Sequence, residues 1–118
     1  MALHTDLQIF HAAYALLDAA MDAVKNMRRD FKTLLGAKIR DDCIEIATLI
    51  CRANAARDKR PHLIELVERL QAVELLLRLS VDKRLIDRAA YAKAVKFTQS
   101  IGRQATAWRK SPSASPAA

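Results

Sequence analysis

The chain has 118 residues, which is enough for one domain with a buried core and leaves no room for a second domain of ordinary size. Only two glycines and three prolines occur in a sequence that is 52% hydrophobic and rich in helix-forming residues, a composition that favours an all-α protein. The formal net charge is +7, and no apolar run approaches the roughly 20 residues that a membrane-spanning helix needs, which argues against an integral membrane protein.

The first predicted helix runs from about residue 5 to about residue 27. Its larger apolar residues follow alternating steps of four and three, which is the spacing of a coiled-coil-like seam on one helix face. The seam consists of Leu3, Leu7, Phe10, Tyr14, Leu17, Met21 and Val24. We expect this face to pack against the other helices, because such a stripe is far more typical of a core than of a cofactor pocket.

The second predicted helix covers residues of about 31–55 and carries one apolar stripe. The stripe that we expect to face inward consists of Phe31, Leu35, Ile39, Cys43, Ile46 and Ile50. Gly36 interrupts this helix at a cost of up to about 1 kcal/mol relative to alanine. Either a neighbouring helix passes close to Gly36, or the glycine is merely tolerated.

The sequence offers no recognisable catalytic or metal-binding constellation. The acidic residues Asp41, Asp42 and Glu45 share their helix with Lys38 and Arg52, at spacings that favour ion pairs over a metal site. No histidine, carboxylate pair or nucleophile has a partner at a meaningful spacing, so we expect neither an enzyme nor a cofactor.

The chain begins without the basic and apolar segments of a secretory signal, which predicts a cytoplasmic protein with reduced thiols. Cys43 and Cys51 are eight positions apart on one predicted helix, too far apart for a disulfide. We therefore interpret both as reduced thiols in the core.

The third predicted helix covers residues of about 61–80, with Pro61 at its first position. One apolar stripe, expected to face the core, consists of Leu63, Leu66, Leu70, Val73 and Leu77. A second apolar set points elsewhere and consists of Ile64, Val67, Leu75, Leu76 and Leu79. A four-helix bundle offers each helix one inward stripe, so the second set predicts an oligomer interface. The alternative is that this is the most central helix of a monomer.

The fourth predicted helix, residues of about 87–110, separates an apolar face from a basic face. Residues 83–110 hold eight basic side chains and one acid, Asp87, a balance of +7 that equals the charge of the whole chain. We name the basic ridge by the five cations that share the outer arc of this helix: Arg88, Lys93, Lys96, Arg103 and Lys110. Such segregation points to a polyanionic partner, and a solvated face without a ligand is the alternative.

Three segments resemble the family that includes the accessory variability determinant of diversity-generating retroelements and the proteins of 23S ribosomal RNA intervening sequences. They are residues 30–40 around Leu35 and Gly36, the leucine-rich residues 73–79, and residues 100–110, which hold Gly102 and Trp108. The resemblance implies an antiparallel up-down four-helix bundle that assembles as a homopentameric ring with positive surfaces. In retroelement members the ring binds the reverse transcriptase and is required for mutagenic copying of an RNA template.

We therefore predict a non-catalytic, oligomeric accessory protein that binds RNA, or RNA and DNA, together with a reverse transcriptase. The expected nucleic-acid contacts are Arg40, Arg78, Arg88, Lys93, Lys96, Arg103, Arg109 and Lys110. Of these, the resemblance points to Arg40, Arg78, Arg103, Arg109 and Lys110, of which Arg103 and Lys110 also belong to the basic ridge. The alternative is a stand-alone scaffold that docks an acidic protein, and attachment to a membrane surface is disfavoured because the bundle already occupies the apolar face. The tail, residues 111–118, has little apolar bulk and is predicted to be flexible.

Overall fold

The computed structural model describes residues 3–112 and 114–116, and the regular elements within them are all helical. The four long helices are α1 (Gln8–Val24), α2 (Ala37–Ala55), α3 (Arg60–Asp82) and α4 (Arg88–Lys110). The short 3-10 turn His4–Asp6 precedes α1, which therefore begins three residues after Thr5. The all-α prediction is confirmed.

The helices pack around a square in which every helix has two neighbours. Both α1 and α3 contact α2 and α4, so α1 lies diagonally opposite α3. The resulting four-helix bundle measures 44 × 22 × 20 Å along its principal axes. This arrangement gives each helix one side toward the shared core and leaves its opposite side to solvent or to a partner.

The chain enters α2 through a segment that is wider than an ordinary α-helix. A single helical turn at Arg29–Phe31 leads into the π-helical turn Lys32–Gly36, in which the Ala37 N–H donates to the carbonyl of Lys32. A methyl group on Gly36 would lie 3.4 Å from Cβ of Val24, at the end of α1. The neighbouring helix therefore does pass close to Gly36, although at an ordinary contact distance.

The seam predicted for the first helix is only partly correct, since three of its seven residues are exposed and Phe10 and Leu17 pack against the edge of the core. Tyr14 and Met21 are 66% and 49% exposed, Leu3 is exposed, and only Leu7 and Val24 of the seam are buried. The core takes instead the face that holds Ile9, Ala13, Leu16, Ala19, Ala20 and Ala23. Small residues let helices approach closely and bury backbone as well as side chains. A prediction from the spacing of apolar residues favours the face with the larger side chains, and therefore misses this one. We call the outer set, Phe10, Tyr14, Leu17 and Met21, the α1 stripe.

The inward stripe of α2 is confirmed from Ile39 to Ile50, while Phe31 and Leu35, in the wide segment, are half-buried. A buried carboxylate, Asp42, lies beside this stripe. Its Oδ1 accepts hydrogen bonds from Lys38 Nζ at 2.9 Å and from Arg69 Nη1 at 3.2 Å. The pair with Arg69 joins α2 to α3, and the pair with Lys38 confirms that this acidic cluster forms ion pairs.

The core faces of α3 and α4 agree with the sequence. All five residues of the predicted α3 stripe are buried, and α4 buries Ala94, Thr98, Ile101, Ala105 and Trp108. The Thr98 hydroxyl is 3.0 Å from Glu74 Oε2, a hydrogen bond that links the two helices within the bundle. The orientation of α4 is therefore fixed by packing, with its basic side directed away from the core.

Gly102→Ala is expected to stabilise the protein by about 0.5–1 kcal/mol, because alanine loses less backbone entropy in a helix interior. The nearest atom to a Cβ at this position is Leu70 Cδ1 at 3.9 Å, an ordinary contact. Thermal unfolding should show a midpoint a few degrees higher. A lower midpoint would mean that α4 cannot accept even a methyl group here.

The beginning of the tail lies against the end of the bundle. Lys59 Nζ donates to the carbonyl of Ser111 at 2.6 Å, and Trp108 Nε1 donates to the carbonyl of Ala114 at 3.2 Å. Ser115 Oγ donates to Asn54 Oδ1 at 3.0 Å. The flexibility predicted for residues 111–118 stays a prediction, and residues 113, 117 and 118 of that segment lie outside the described residues.

Candidate nucleic-acid interface

The basic ridge lies along the outer side of α4 over most of the length of that helix. Asp87 caps the helix, its Oδ1 accepting a hydrogen bond from the Ala90 N–H at 2.7 Å, and the helix continues for 23 residues. All five ridge side chains are exposed, whereas Trp108 and Ile101 on the other side are buried. One regular helix thus presents five cations in a row to solvent.

The ridge cations are also electrostatically unpaired. Among residues 3–112 and 114–116, neither the ridge residues nor the adjacent Arg109 has an ion pair with a carboxylate. No carboxylate of the described residues therefore compensates their charge, which remains available to attract a polyanion. This is the electrostatic arrangement that favours contacts to phosphate groups.

Two of the eight predicted contacts differ from the rest. Arg40 Nε donates to Asp41 at 3.1 Å, and Arg78 Nε lies 3.1 Å from both carboxylate oxygens of Asp82. The hydrogen bond from Arg78 to Asp82 raises the pKa of the guanidinium above its ordinary value. Arg40 and Arg78 lie on α2 and α3, off the ridge, so a phosphate would have to compete with a carboxylate for each of them.

The second apolar set of α3 lies partly outside the core, with Val67 and Leu76 packed against its edge. Leu75 is 68% exposed, Ile64 and Leu79 are also exposed, and Val67 and Leu76 are half-buried. The alternative of a central helix enclosed on all sides is therefore contradicted for this protomer. We call these five residues the α3 outer face.

The bundle thus carries two apolar surfaces on different helices, the α1 stripe and the α3 outer face. The sequence did not reveal the first, because its regular spacing made it look like the core. A second apolar face of α1, with Ile9, Ala13 and Leu16, is visible in the sequence. Because only one face of α1 can point into the core, its presence could have indicated that the α1 stripe lies outside. Exposed apolar surfaces of this kind are typical of protein interfaces.

Two clefts lie at opposite ends of the bundle. The larger, of about 960 Å³, has mixed charge, with Asp22, Arg78, Arg84 and Arg88 among its lining residues. The smaller, of about 410 Å³, lies between the loop that joins α2 to α3 and the end of α4. The sequence indicates only a polar turn for that loop. Its arginines lie about fifty positions before Arg109 of α4, so only the fold shows that they share a cleft.

Other kinds of site find little support in the part of the chain that the structure describes. No group of three His, Cys, Asp or Glu side chains there could hold a metal ion. Both cysteines are free, and Cys43 lies in the core as predicted, whereas Cys51 is only half-buried. Burial, with a smaller contribution from Asp42, raises the pKa of Cys43 to about 12, which keeps its thiol protonated and unreactive. None of the described helices has the length and apolarity needed to cross a membrane.

Comparison with known proteins gives the family. No curated protein matches the sequence. The sequence profile described as bAvd-like matches residues 8–112, which include all four helices, the basic ridge and both apolar surfaces. The match confirms the resemblance found from the motifs around Gly36, Leu75 and Gly102. The chain therefore belongs to the bAvd-like family.

Proposed function

We propose that this protein is a non-catalytic, cytoplasmic accessory protein that binds RNA along the basic ridge. The observation that carries the proposal is the row of five exposed cations on α4 that have no carboxylate partner among the described residues. Each contact with a phosphate neutralises one charge and releases condensed counterions, which favours binding without any new apolar contact.

The ridge is suited to contacting the phosphate backbone and poorly suited to reading bases. Sequence-tolerant binding of single strands by base stacking needs exposed aromatic rings. On α4 the aromatic residues face the other way, since Trp108 is buried and Tyr91 and Phe97 are half-buried. We therefore propose that affinity depends on the length and charge of the RNA, with little dependence on its sequence.

We further propose that antiparallel bundles assemble into a ring. The α1 stripe and the α3 outer face lie on diagonally opposite helices. A contact that joins the α1 stripe of one copy to the α3 outer face of the next is heterologous, and repeated heterologous contacts form a ring when the rotation between copies closes. Family resemblance suggests five subunits. A ring would repeat the ridge once per subunit, so that several weak contacts act together.

Family membership also motivates the proposed partner, a reverse transcriptase that uses the bound RNA as its template. The ring would hold the RNA near the polymerase, and the chemistry would belong to the polymerase. In the alternative role, a scaffold for an acidic protein, the same cations would bind carboxylates of that protein in place of RNA phosphates.

The test of this proposal is the triple variant Lys93→Ala/Lys96→Ala/Arg103→Ala. We expect its affinity for a structured RNA to be at least about tenfold weaker at low salt, because three phosphate contacts are lost. The matched control is Lys25→Ala/Arg29→Ala/Lys83→Ala, which removes the same charge from exposed positions off the ridge. Fluorescence anisotropy with several unrelated RNA sequences measures both.

Equal affinity of the triple variant and the wild type would refute a role for the ridge. Equal weakening by the control would mean that only net charge matters. If the wild type binds no RNA at low salt but forms a stoichiometric complex with an acidic protein, the scaffold is the correct function.

A further inference from the structure

A small cleft at one end of the bundle brings together five cations from two distant parts of the chain. It has a volume of about 410 Å³ and lies where the loop between α2 and α3 meets the end of α4. The charged residues that line it are Arg57, Asp58, Lys59, Arg60, Arg109 and Lys110. We call it the basic end cleft.

Among the described residues that line this cleft, the one carboxylate, Asp58, already has a partner. Arg60 donates to Asp58 through Nε at 2.9 Å and through Nη2 at 3.1 Å, and its backbone N–H donates to the same carboxylate at 3.1 Å. These hydrogen bonds lower the pKa of Asp58, so the carboxylate is ionised at neutral pH and its charge is balanced by Arg60. Among the described residues, Arg57, Arg109 and Lys110 have no carboxylate partner.

The beginning of α3 adds to this positive charge. The 23-residue helix α3 begins at Arg60, and its first N–H groups carry the positive end of the helix dipole. The C-terminus of α4 contributes negative charge, which is reduced because the Ser111 N–H donates to the carbonyls of Ala107 and Trp108 at 3.0 and 3.1 Å. Lys59 Nζ compensates the carbonyl of Ser111 itself.

The walls of the cleft are held in place by buried contacts. Trp108 is 2% exposed, and its indole N–H donates to the carbonyl of Ala114, which lines the cleft. The hydrogen bond from Lys59 to Ser111 ties the opposite wall to the same segment. A preformed cleft of this kind loses little entropy when an anion binds.

We propose that the basic end cleft binds a phosphate group of the RNA strand that lies along the basic ridge. Lys110 belongs to both surfaces, so a strand on the ridge leads directly into the cleft. Three unpaired cations around one cavity can donate several charge-assisted hydrogen bonds to a phosphate group, and a cavity of about 410 Å³ has ample room for one. That the phosphate belongs to RNA rests on the proposed function, whereas the affinity of the cleft for phosphate does not.

The first experiment titrates the whole protein with inorganic pyrophosphate and follows backbone amide signals by NMR. We expect saturable shifts of the amides of Arg57 and Ser111. These shifts should be absent from Arg57→Gln/Arg109→Gln. They should persist in the control Arg29→Gln/Arg84→Gln, which loses the same charge at the opposite end. If pyrophosphate leaves the cleft amides of the wild type unchanged, no phosphate site exists there and the proposal is overturned.

The second experiment measures the salt dependence of RNA affinity for the same three proteins. Loss of two phosphate contacts should reduce the slope of log affinity against log salt by about 1.5 in Arg57→Gln/Arg109→Gln but not in the control. If pyrophosphate binds but this slope is unchanged, the cleft takes a free phosphate compound, and its assignment to RNA fails while the ridge stands. If the wild type binds no RNA at all, the assignment fails together with the proposed function.

Discussion

Replacing both Leu75 and Leu79 by glutamate is expected to convert the assembled protein into a folded monomer. Both side chains are exposed in the protomer, at 68% and 41%, so the substitutions should change protomer stability little. In the proposed ring both would be buried against the α1 stripe of the next copy. Two carboxylates buried there without partners would cost several kcal/mol per interface, enough to prevent assembly.

Light scattering after size-exclusion chromatography measures this effect directly. The variant should give the 13.2 kDa mass of one chain, and the wild type a multiple of it. Leu34→Glu/Ile44→Glu is the matched control, since it also replaces two exposed apolar residues, but away from both apolar surfaces. A wild type that is monomeric, or a Leu75 and Leu79 variant that keeps the wild-type mass, would contradict the proposed interface.

Trp108→Ala is expected to reduce the free energy of unfolding by about 3–5 kcal/mol, a large share of the total for a domain of this size. The indole is almost completely buried near the end of α4, and its N–H holds the carbonyl of Ala114. Deleting it leaves a cavity and also releases one wall of the basic end cleft. Equilibrium unfolding in urea, followed by circular dichroism, measures the loss.

Trp108→Phe separates packing from hydrogen bonding, because it keeps most of the ring and loses only the N–H donor and some volume. Leu34→Ala is the surface control, since Leu34 is 77% exposed and should change stability by no more than about 0.5 kcal/mol. A Trp108→Ala variant that is as stable as this control would show that the end of α4 is not part of the cooperative core.

The sequence predicts the core-facing side of a helix well where apolar and polar residues occupy separate faces of that helix. On α4 the cations and the core residues fall on opposite arcs, and the structure agrees. On α1 the apolar residues cover two adjacent faces, and periodicity selected the bulkier one around Tyr14 in place of the alanine-rich one around Ala13. Spacing cannot rank two apolar faces, because the ranking depends on how closely the neighbouring helices approach.

The candidate site shows the same limit. The basic ridge follows from the charges of one helix, so it could be predicted from local sequence. The basic end cleft joins Arg57 to Arg109, about fifty positions away, and only the folded bundle brings them to the same cavity. Arg78 differs from the ridge residues: its i,i+4 spacing to Asp82 indicates an ion pair, whereas its predicted contact with nucleic acid follows from family resemblance and stays a prediction.

Family membership and geometry support the proposed function in different ways. The bAvd-like match covers the whole bundle, so it concerns the fold and not one motif. The geometry adds the unpaired cations of α4 and the two apolar surfaces on α1 and α3. Because the cations and the apolar surfaces lie on different helices, mutations can test RNA binding and assembly separately. The Leu75 and Leu79 variant should retain weak RNA binding as a monomer, since its ridge is intact, and lose the avidity of the ring.

The salt dependence of RNA affinity tests the central claim most directly, because only phosphate contacts release counterions. For the wild type we predict a linear fall of log affinity with log salt and a slope of about −3.5 or steeper, corresponding to five phosphate contacts. The Lys93, Lys96 and Arg103 variant should lose about two units of that slope. A wild-type slope close to zero, or equal slopes for the two proteins, would contradict RNA binding by the basic ridge.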